Sequence, residues 1–187
     1  MHKKTILLFI AAAVALMGYF FSGNTGLNSF SQQASRPSII SGKDLDYSNV
    51  LIIRVVDGDT LDLGNKKRVR LIGIDTPEMH DSDKLNRDAA RSGQSVEAIK
   101  KLGTQAYQFT RGLVEGKRVR LEFDKERYDR YNRTLAYVYL ADGTFVNAKI
   151  IQEGYASVMR YPPNVKHADL FLKLYQEARQ NRRGLWQ

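Results

Sequence analysis

The chain has no cysteine, only four prolines, three histidines and one tryptophan among 187 residues. Without cysteine there is no disulfide, no thiol nucleophile and no thiolate metal site. That absence does not place the protein inside a cell, because exported domains also fold without bridges. His2, His80 and His167 are too scattered to build a zinc site, and they give little basis for histidine catalysis. Acidic residues are missing before Asp44, a stretch that contains Lys3, Lys4, Arg36 and Lys43. From Asp44 onward, 25 basic side chains face 20 acidic ones, and the whole chain carries a formal +9. A basic body suits a polyanion, whether nucleic acid or an anionic membrane surface, and charge alone does not choose between them.

What is present begins with MHKK followed by TILLFIAAAVALMGYFF. A short basic segment before an apolar run from Thr5 to Phe21 reads as an export signal. The run sits at the lower edge of what spans a bilayer, and no A-x-A pattern follows its end. For residues 1–21, a cleaved signal peptide and a retained signal anchor both stay open. With Lys3 and Lys4 inside, the remainder is expected outside the cytoplasm, secreted or held at the membrane. Residues 22–46 are rich in Ser, Gly, Asn and Gln and read as a flexible linker. The folded domain is expected over residues 47–187.

Within it, NVLIIRVV, TLDL and RVRLIGI have strand patterns and lie close together, which predicts a meander. EMHDSDKLNRDAARSGQ reads as a polar loop. Val96, Ile99, Leu102, Ala106, Phe109 and Leu113 recur at helical spacing, with Gly103 as a candidate kink. KRVRLEFD and TLAYVYL read as two more strands, and Asp142-Gly143 as a turn. VNAKIIQEG reads as a short helix stopped by Gly154, and HADLFLKLYQEARQNRRGLW as a final helix stopped by Gly184. The expected fold is α+β, mainly β: a five-stranded OB-fold barrel with about three helices.

The stretch RVVDGDTLDLGNKKRVRLIGIDTPE, residues 54–78, holds five carboxylates and five Arg or Lys side chains. In isolation, Asp57-Gly58-Asp59-Thr60 is a hairpin turn, and Asp75-Thr76-Pro77-Glu78 a strand end entering a proline turn. The same turns can present Asp59 and Asp75 as hard oxygen ligands for a divalent cation. An EF-hand is excluded: counting from Asp57, the sixth position is Asp62 rather than Gly, and the twelfth is Arg68 rather than Glu. If a Gly64-Asn65 turn joins the second and third strands, both aspartates fall at one end of the sheet, where two carboxylates call for a cation. Arg70 offers a planar fork for phosphate oxygens, and Arg133 in DRYNRTLAY could complete a clamp. Glu78 could take a proton from a water attacking phosphorus.

The segments VVDGDT, RLIGIDTPE, DRYNRTLAYVYL and VNAKIIQEGYA, in this order, resemble the thermonuclease (staphylococcal nuclease-like) family from about Val50 to Trp186. The resemblance implies an OB-type barrel and Ca²⁺-dependent cleavage of DNA and RNA that leaves 3′-phosphate and 5′-hydroxyl ends. Carried over by motif, Asp59 and Asp75 resemble the carboxylate ligands of Ca²⁺, and Thr76 the residue that lends its backbone carbonyl. Asp57 would support the site from the same turn. Glu78 resembles the proposed general base, and Arg70 and Arg133 the phosphate clamp. Tyr131 and Tyr161 look like positions lining the nucleotide pocket, and Arg130 beside them could guide phosphates. Two features depart from the family pattern. The segment from Met79 to Leu102 is longer than in compact secreted members, and in MRYPPN Met159 stands where a pocket tyrosine is expected. The expected partners are DNA and RNA, preferably single-stranded or locally unpaired, and the membrane through residues 5–21 if that segment is retained. The expected state is a monomer. The alternative reading is a non-catalytic OB-fold nucleic-acid-binding module.

Overall fold

The computed structural model describes residues 45–187. The expected export segment at 1–21 and the expected linker up to residue 44 lie outside the described residues. Among the described residues, no helix is long and apolar enough to cross a membrane. The strands are β1 (Val50–Leu51), β2 (Arg54–Asp57), β3 (Thr60–Asp62), β4 (Arg68–Leu71), β5 (Ile74–Asp75), β6 (Arg118–Glu122), β7 (Thr134–Leu140) and β8 (Ser157–Val158). The helices are α1 (Asp83–Ser92), α2 (Val96–Val114), α3 (Val146–Gln152) and α4 (Ala168–Gln180), followed by a 3₁₀ turn (Gly184–Trp186).

Six strands form one sheet in the order β1-β6-β7-β4-β3-β2, and β5 pairs separately with β8. The outer strands β1 and β2 are pieces of the single run at residues 50–57. Between them the backbone switches partners: Ile52 N bonds to Lys117 O at 2.9 Å, whereas Ile53 N bonds to Asp62 O at 2.9 Å. One continuous segment therefore joins both edges of the sheet. Counted as one strand, it closes a five-stranded, OB-like barrel and removes the open edges. The expected meander is present as the antiparallel β2–β3 and β3–β4 pairs. Strands β4 and β7 run parallel, with Val69 opposite Thr134 and Arg70 opposite Leu135.

Alternation on the strands fills the barrel. In β6, Val119 and Leu121 point inward while Arg118 and Arg120 face solvent. Ile52, Leu61, Val69, Leu71, Tyr137, Ile150 and Phe171 are all buried in one core, each large aliphatic or aromatic side chain contributing about 1.5–3 kcal/mol.

Several sequence expectations need correction. The third strand does not run through RVRLIGI to Asp75. It breaks at Ile72-Gly73, where Gly73 adopts φ +83°, and a Cβ there would meet the Phe171 ring at 2.4 Å. Only glycine fits that corner. Asp75 therefore belongs to β5, opposite Ser157. The segment after Glu78 is not all loop either, because residues 83–92 form α1 and raise the number of α-helices among the described residues to four. Ser82 caps α1 by accepting from Leu85 N at 3.1 Å, and Gly93 ends it in the left-handed region at φ 70°. Leu85 is the one buried residue of α1, so there is no apolar stripe to read. Gly103 does not interrupt α2, which is continuous from Val96 to Val114, and α4 ends at Gln180 rather than at Gly184.

Candidate active site

The β2–β3 turn, the end of β4, and β5 converge at one end of the barrel. Thr60 lies opposite Arg70 in the β3–β4 pair, so Asp59, one residue earlier, reaches the Arg70 guanidinium. Asp59 is buried, and its Oδ2 accepts from Thr76 N at 3.0 Å and lies 2.8 Å from Arg70 Nη1. Arg70 Nη2 lies 3.1 Å from Asp75 Oδ1. One arginine side chain, only 13% exposed, thus bridges both aspartates. Asp57 is half-buried in the same turn, and its Oδ1 accepts from Asp59 N at 3.2 Å.

Crowding these carboxylates separates their acidities. Burial and then the Asp59 charge push Asp57 up to about 7. Burial also opposes ionisation of Asp59, but the Arg70 charge and the hydrogen bonds outweigh it and hold Asp59 below the usual carboxylate range. Asp75 is raised, chiefly by burial, against the pull of Lys84 and Arg70.

Lys84, in the first turn of α1, joins the cluster from outside the barrel. Its Nζ lies 3.1 Å from Asp75 Oδ1 and 2.9 Å from Glu78 Oε1, and donates to Thr76 O at 3.2 Å. Burial lowers the Lys84 ammonium, but the Asp75 charge and the Glu78 hydrogen bond exceed that effect, and the net shift is upward. Two carboxylates and a backbone carbonyl therefore already hold a cation. Among the described residues, no three carboxylate or imidazole side chains form a metal cage. A metal here would draw on Asp59, Asp75, the Thr76 carbonyl and water. That all-oxygen set suits a hard divalent ion such as Ca²⁺, and the Lys84 ammonium sits on two of its members, Asp75 and the Thr76 carbonyl.

Arg133 enters from the loop before β7. Asp129 aligns it: Oδ2 accepts from Arg133 Nε at 2.6 Å, while Oδ1 accepts from Arg133 N and Tyr131 N, both at 2.9 Å. Burial opposes ionisation of Asp129, but these hydrogen bonds and the arginine charge leave it lowered. The parallel β4–β7 register brings the start of β7 beside β4. Arg70 and Arg133 accordingly line one cavity of about 270 Å³, together with Arg130, Tyr131, Met159 and Tyr161. The same Arg70 side chain faces this cavity and holds the two aspartates. Glu78 stands on the Lys84 side and is not among the cavity-lining residues.

Residues 68–187 match the family described as Staphylococcal nuclease homologue. The chain belongs to this family. It is 39% identical over 150 residues to a thermonuclease of Staphylococcus intermedius, covering 79% of this chain and 81% of that protein. A thermonuclease of Staphylococcus hyicus is 36% identical over 138 residues, covering 72% and 73%. Endonuclease YncB of Bacillus subtilis (strain 168) is 35% identical over 164 residues, covering 85% and 70%. The family match begins after Asp57 and Asp59, so Asp59 is placed in the site by its Thr76 and Arg70 contacts and Asp57 by the bond it accepts from Asp59 N.

Several side chains that shape this nuclease-family site are not legible in its motifs. Thr110 of α2 is buried and donates to Gly58 O at 2.8 Å, tying the aspartate turn to the helix. A Cβ on Gly58 would meet the Thr76 side chain at 2.7 Å, and one on Gly103 would meet Glu78 O at 2.5 Å. These two glycines let the chain pass close enough to place Thr76 and Glu78. Asn164 is buried and clamps the arginine loop, its Oδ1 accepting from Glu126 N at 2.8 Å and its Nδ2 donating to Glu126 O at 2.9 Å. Asn147 of α3 donates to Ile72 O at 2.9 Å and accepts from Val138 N at 2.9 Å, bracing the corner before Asp75. Asparagines in polar or helical sequence carry no signal of such long-range bonding. Lys84 is equally silent, one lysine among many in a polar segment.

Proposed function

We propose that this protein is a Ca²⁺-dependent nuclease that hydrolyses phosphodiester bonds of DNA and RNA and leaves 3′-phosphate and 5′-hydroxyl ends. The observation that supports it best is Arg70, which lines the same cavity as Arg133 while its guanidinium touches both aspartates. A phosphate seat and a cation seat thereby share a wall. Asp59, Asp75 and the Thr76 carbonyl would hold the metal, with Asp57 supporting the turn. When bound, the ion would polarise a phosphate oxygen and lower the pKa of water.

Glu78 accepts the proton of the attacking water, or orients that water for in-line attack. The new P–O bond forms from this water, the bond to the 5′ oxygen breaks, the 5′ oxygen takes a proton from solvent water as it leaves, and Glu78 returns its proton to solvent. Arg70 and Arg133 neutralise the charge that gathers on the phosphoryl oxygens during attack. Tyr131, 65% exposed, and Tyr161, 38% exposed, offer ring faces to an unpaired base, and Arg130 adds a charge at the cavity edge. Unpaired strands are therefore the preferred substrate. The basic and apolar pattern of residues 1–21 supports export of the domain, acting as a monomer.

The test incubates the full-length protein with single-stranded DNA in Ca²⁺ or in chelator. Fragments that form only with Ca²⁺, and whose 5′ ends accept phosphate from polynucleotide kinase without prior dephosphorylation, fit the proposal. Retention of intact DNA with every divalent ion tried would instead identify a non-catalytic binding module.

A further inference from the structure

The segment after Glu78 does more than lengthen a loop. Ser82 caps α1, and Leu85, 1% exposed, pins its first turn to the protein. Lys84 lies between them, next to Leu85, so its Cα is held in place rather than carried on a free loop. Its ammonium reaches Asp75, Glu78 and the Thr76 carbonyl at 2.9–3.2 Å. Two of these groups, Asp75 and the Thr76 carbonyl, belong to the metal-binding set proposed above, and the third is the proposed base.

A calcium ion draws its oxygens in to about 2.3–2.6 Å. An ammonium and a divalent ion cannot share the same two oxygens at such distances, because like charges a few ångströms apart in a partly buried site repel strongly. Charge counting points the same way. Arg70 and Lys84 already offset most of the charge on Asp59, Asp75 and Glu78, and a further double charge would leave the cluster overcharged.

We propose that Lys84 is a built-in competitor for the divalent cation: it occupies the metal seat and engages Glu78 when metal is scarce, and calcium loads the site by displacing it. This rests on the nuclease reading above. The lysine sets the calcium concentration at which the site fills, and its departure frees the Glu78 carboxylate at the same moment. The device couples metal arrival to release of the base. The cost of expelling Lys84 falls on every binding event, so removing it tightens binding. Asp88, one helical turn further along α1, lies 4.0 Å from Lys84 Nζ and is the nearest alternative acceptor.

Calcium affinity of the full-length protein is measured by titration calorimetry without substrate, for wild type, Lys84→Met and Lys84→Gln. The expected result is a Kd lower by about tenfold in both variants, which corresponds to ~1.4 kcal/mol. A second readout needs no mutation: acetylation of wild-type Lys84, followed by mass spectrometry, rises severalfold when calcium is added, while labelling of Lys100 stays constant. An unchanged or higher Kd in folded variants overturns the proposal, and so does Lys84 labelling that stays constant or falls as the site saturates. If neither wild type nor variants bind calcium, the metal-dependent reading fails and the competition fails with it. If all bind equally, only the competition fails.

Discussion

The two halves of the site are built differently. The carboxylate half is fastened from across the chain: Asp59 by Thr76 N, the turn before it by Thr110 of α2, and Asp75 O by Ser157 Oγ at 3.2 Å. The arginine half is a short loop whose order comes mainly from one residue, Asp129, which accepts three bonds from Tyr131 and Arg133. Its long-range tie is Asn164. The proposed cation seat thus depends on the closed barrel, whereas the proposed substrate side depends on a local carboxylate and one buried clamp. Damage to the first half should cost stability and activity together. Damage to the second should cost activity with less effect on the fold.

The strongest test of this contrast removes the chemistry itself. Glu78→Gln is expected to lower kcat by about 10³-fold, and Arg133→Ala by about 10²–10³-fold, both in single-turnover assays at saturating Ca²⁺. Arg133→Ala leaves Asp129 its two backbone N–H bonds and should lower the melting temperature less than Arg70→Ala, which, with a similar loss of activity, takes a shared partner from both Asp59 and Asp75 in chelator. Equal melting for the two arginine variants would break the comparison.

Next in size is Gly103→Ala. The added methyl group meets Glu78 O and shifts the proposed base, so kcat is expected to fall about 10²-fold, with a lower melting temperature on the same samples. Asn147→Ala strands buried partners at the Ile72 corner and should destabilise the protein by about 2–3 kcal/mol in urea unfolding. Asp129→Asn is milder. It weakens the charged contact to Arg133 but retains much of the local hydrogen bonding, and kcat/KM should fall about tenfold with little change in melting.

The smallest expected effect is on pH dependence. Asp57 is raised from 3.8 to about 7, so between these values the folded state binds its proton more tightly than the unfolded state. Metal-free protein should therefore lose stability as pH rises from about 4 towards 7. Asp57→Asn should flatten that decline by a few degrees of melting temperature, read as a pH series in chelator. Carboxylates lowered by their partners, such as Asp59 and Asp129, contribute stability that is lost only at more acidic pH.

Legibility in the sequence followed the range of the interaction. Strand alternation and helical spacing are local, so the order of strands and three of the helices could be read directly. Helix α1 could not, because it buries only Leu85 and owes its ends to Ser82 and Gly93. The corner at Ile72-Gly73 was hidden inside an apolar run, since its cause, Phe171, lies about a hundred residues away. The acid and arginine motifs were visible as residue types. That Arg70 bonds both aspartates could not be read without the register that sets Thr60 opposite Arg70.

The sequence by itself determined the kit: the carboxylates of DGDT and DTPE, the arginines of RVRL and DRYNR, and a periodicity that puts them at the ends of strands. Tertiary structure decided how the kit is assembled. Closure of the 50–57 run across both sheet edges set the two turns against each other, the parallel β4–β7 pair brought Arg133 beside Arg70, and α1 delivered Lys84 into the carboxylates. A lysine in a polar stretch has no local partner to betray it. Its ammonium is held by Asp75 and Glu78 only because the capped helix carries it back to the end of the barrel.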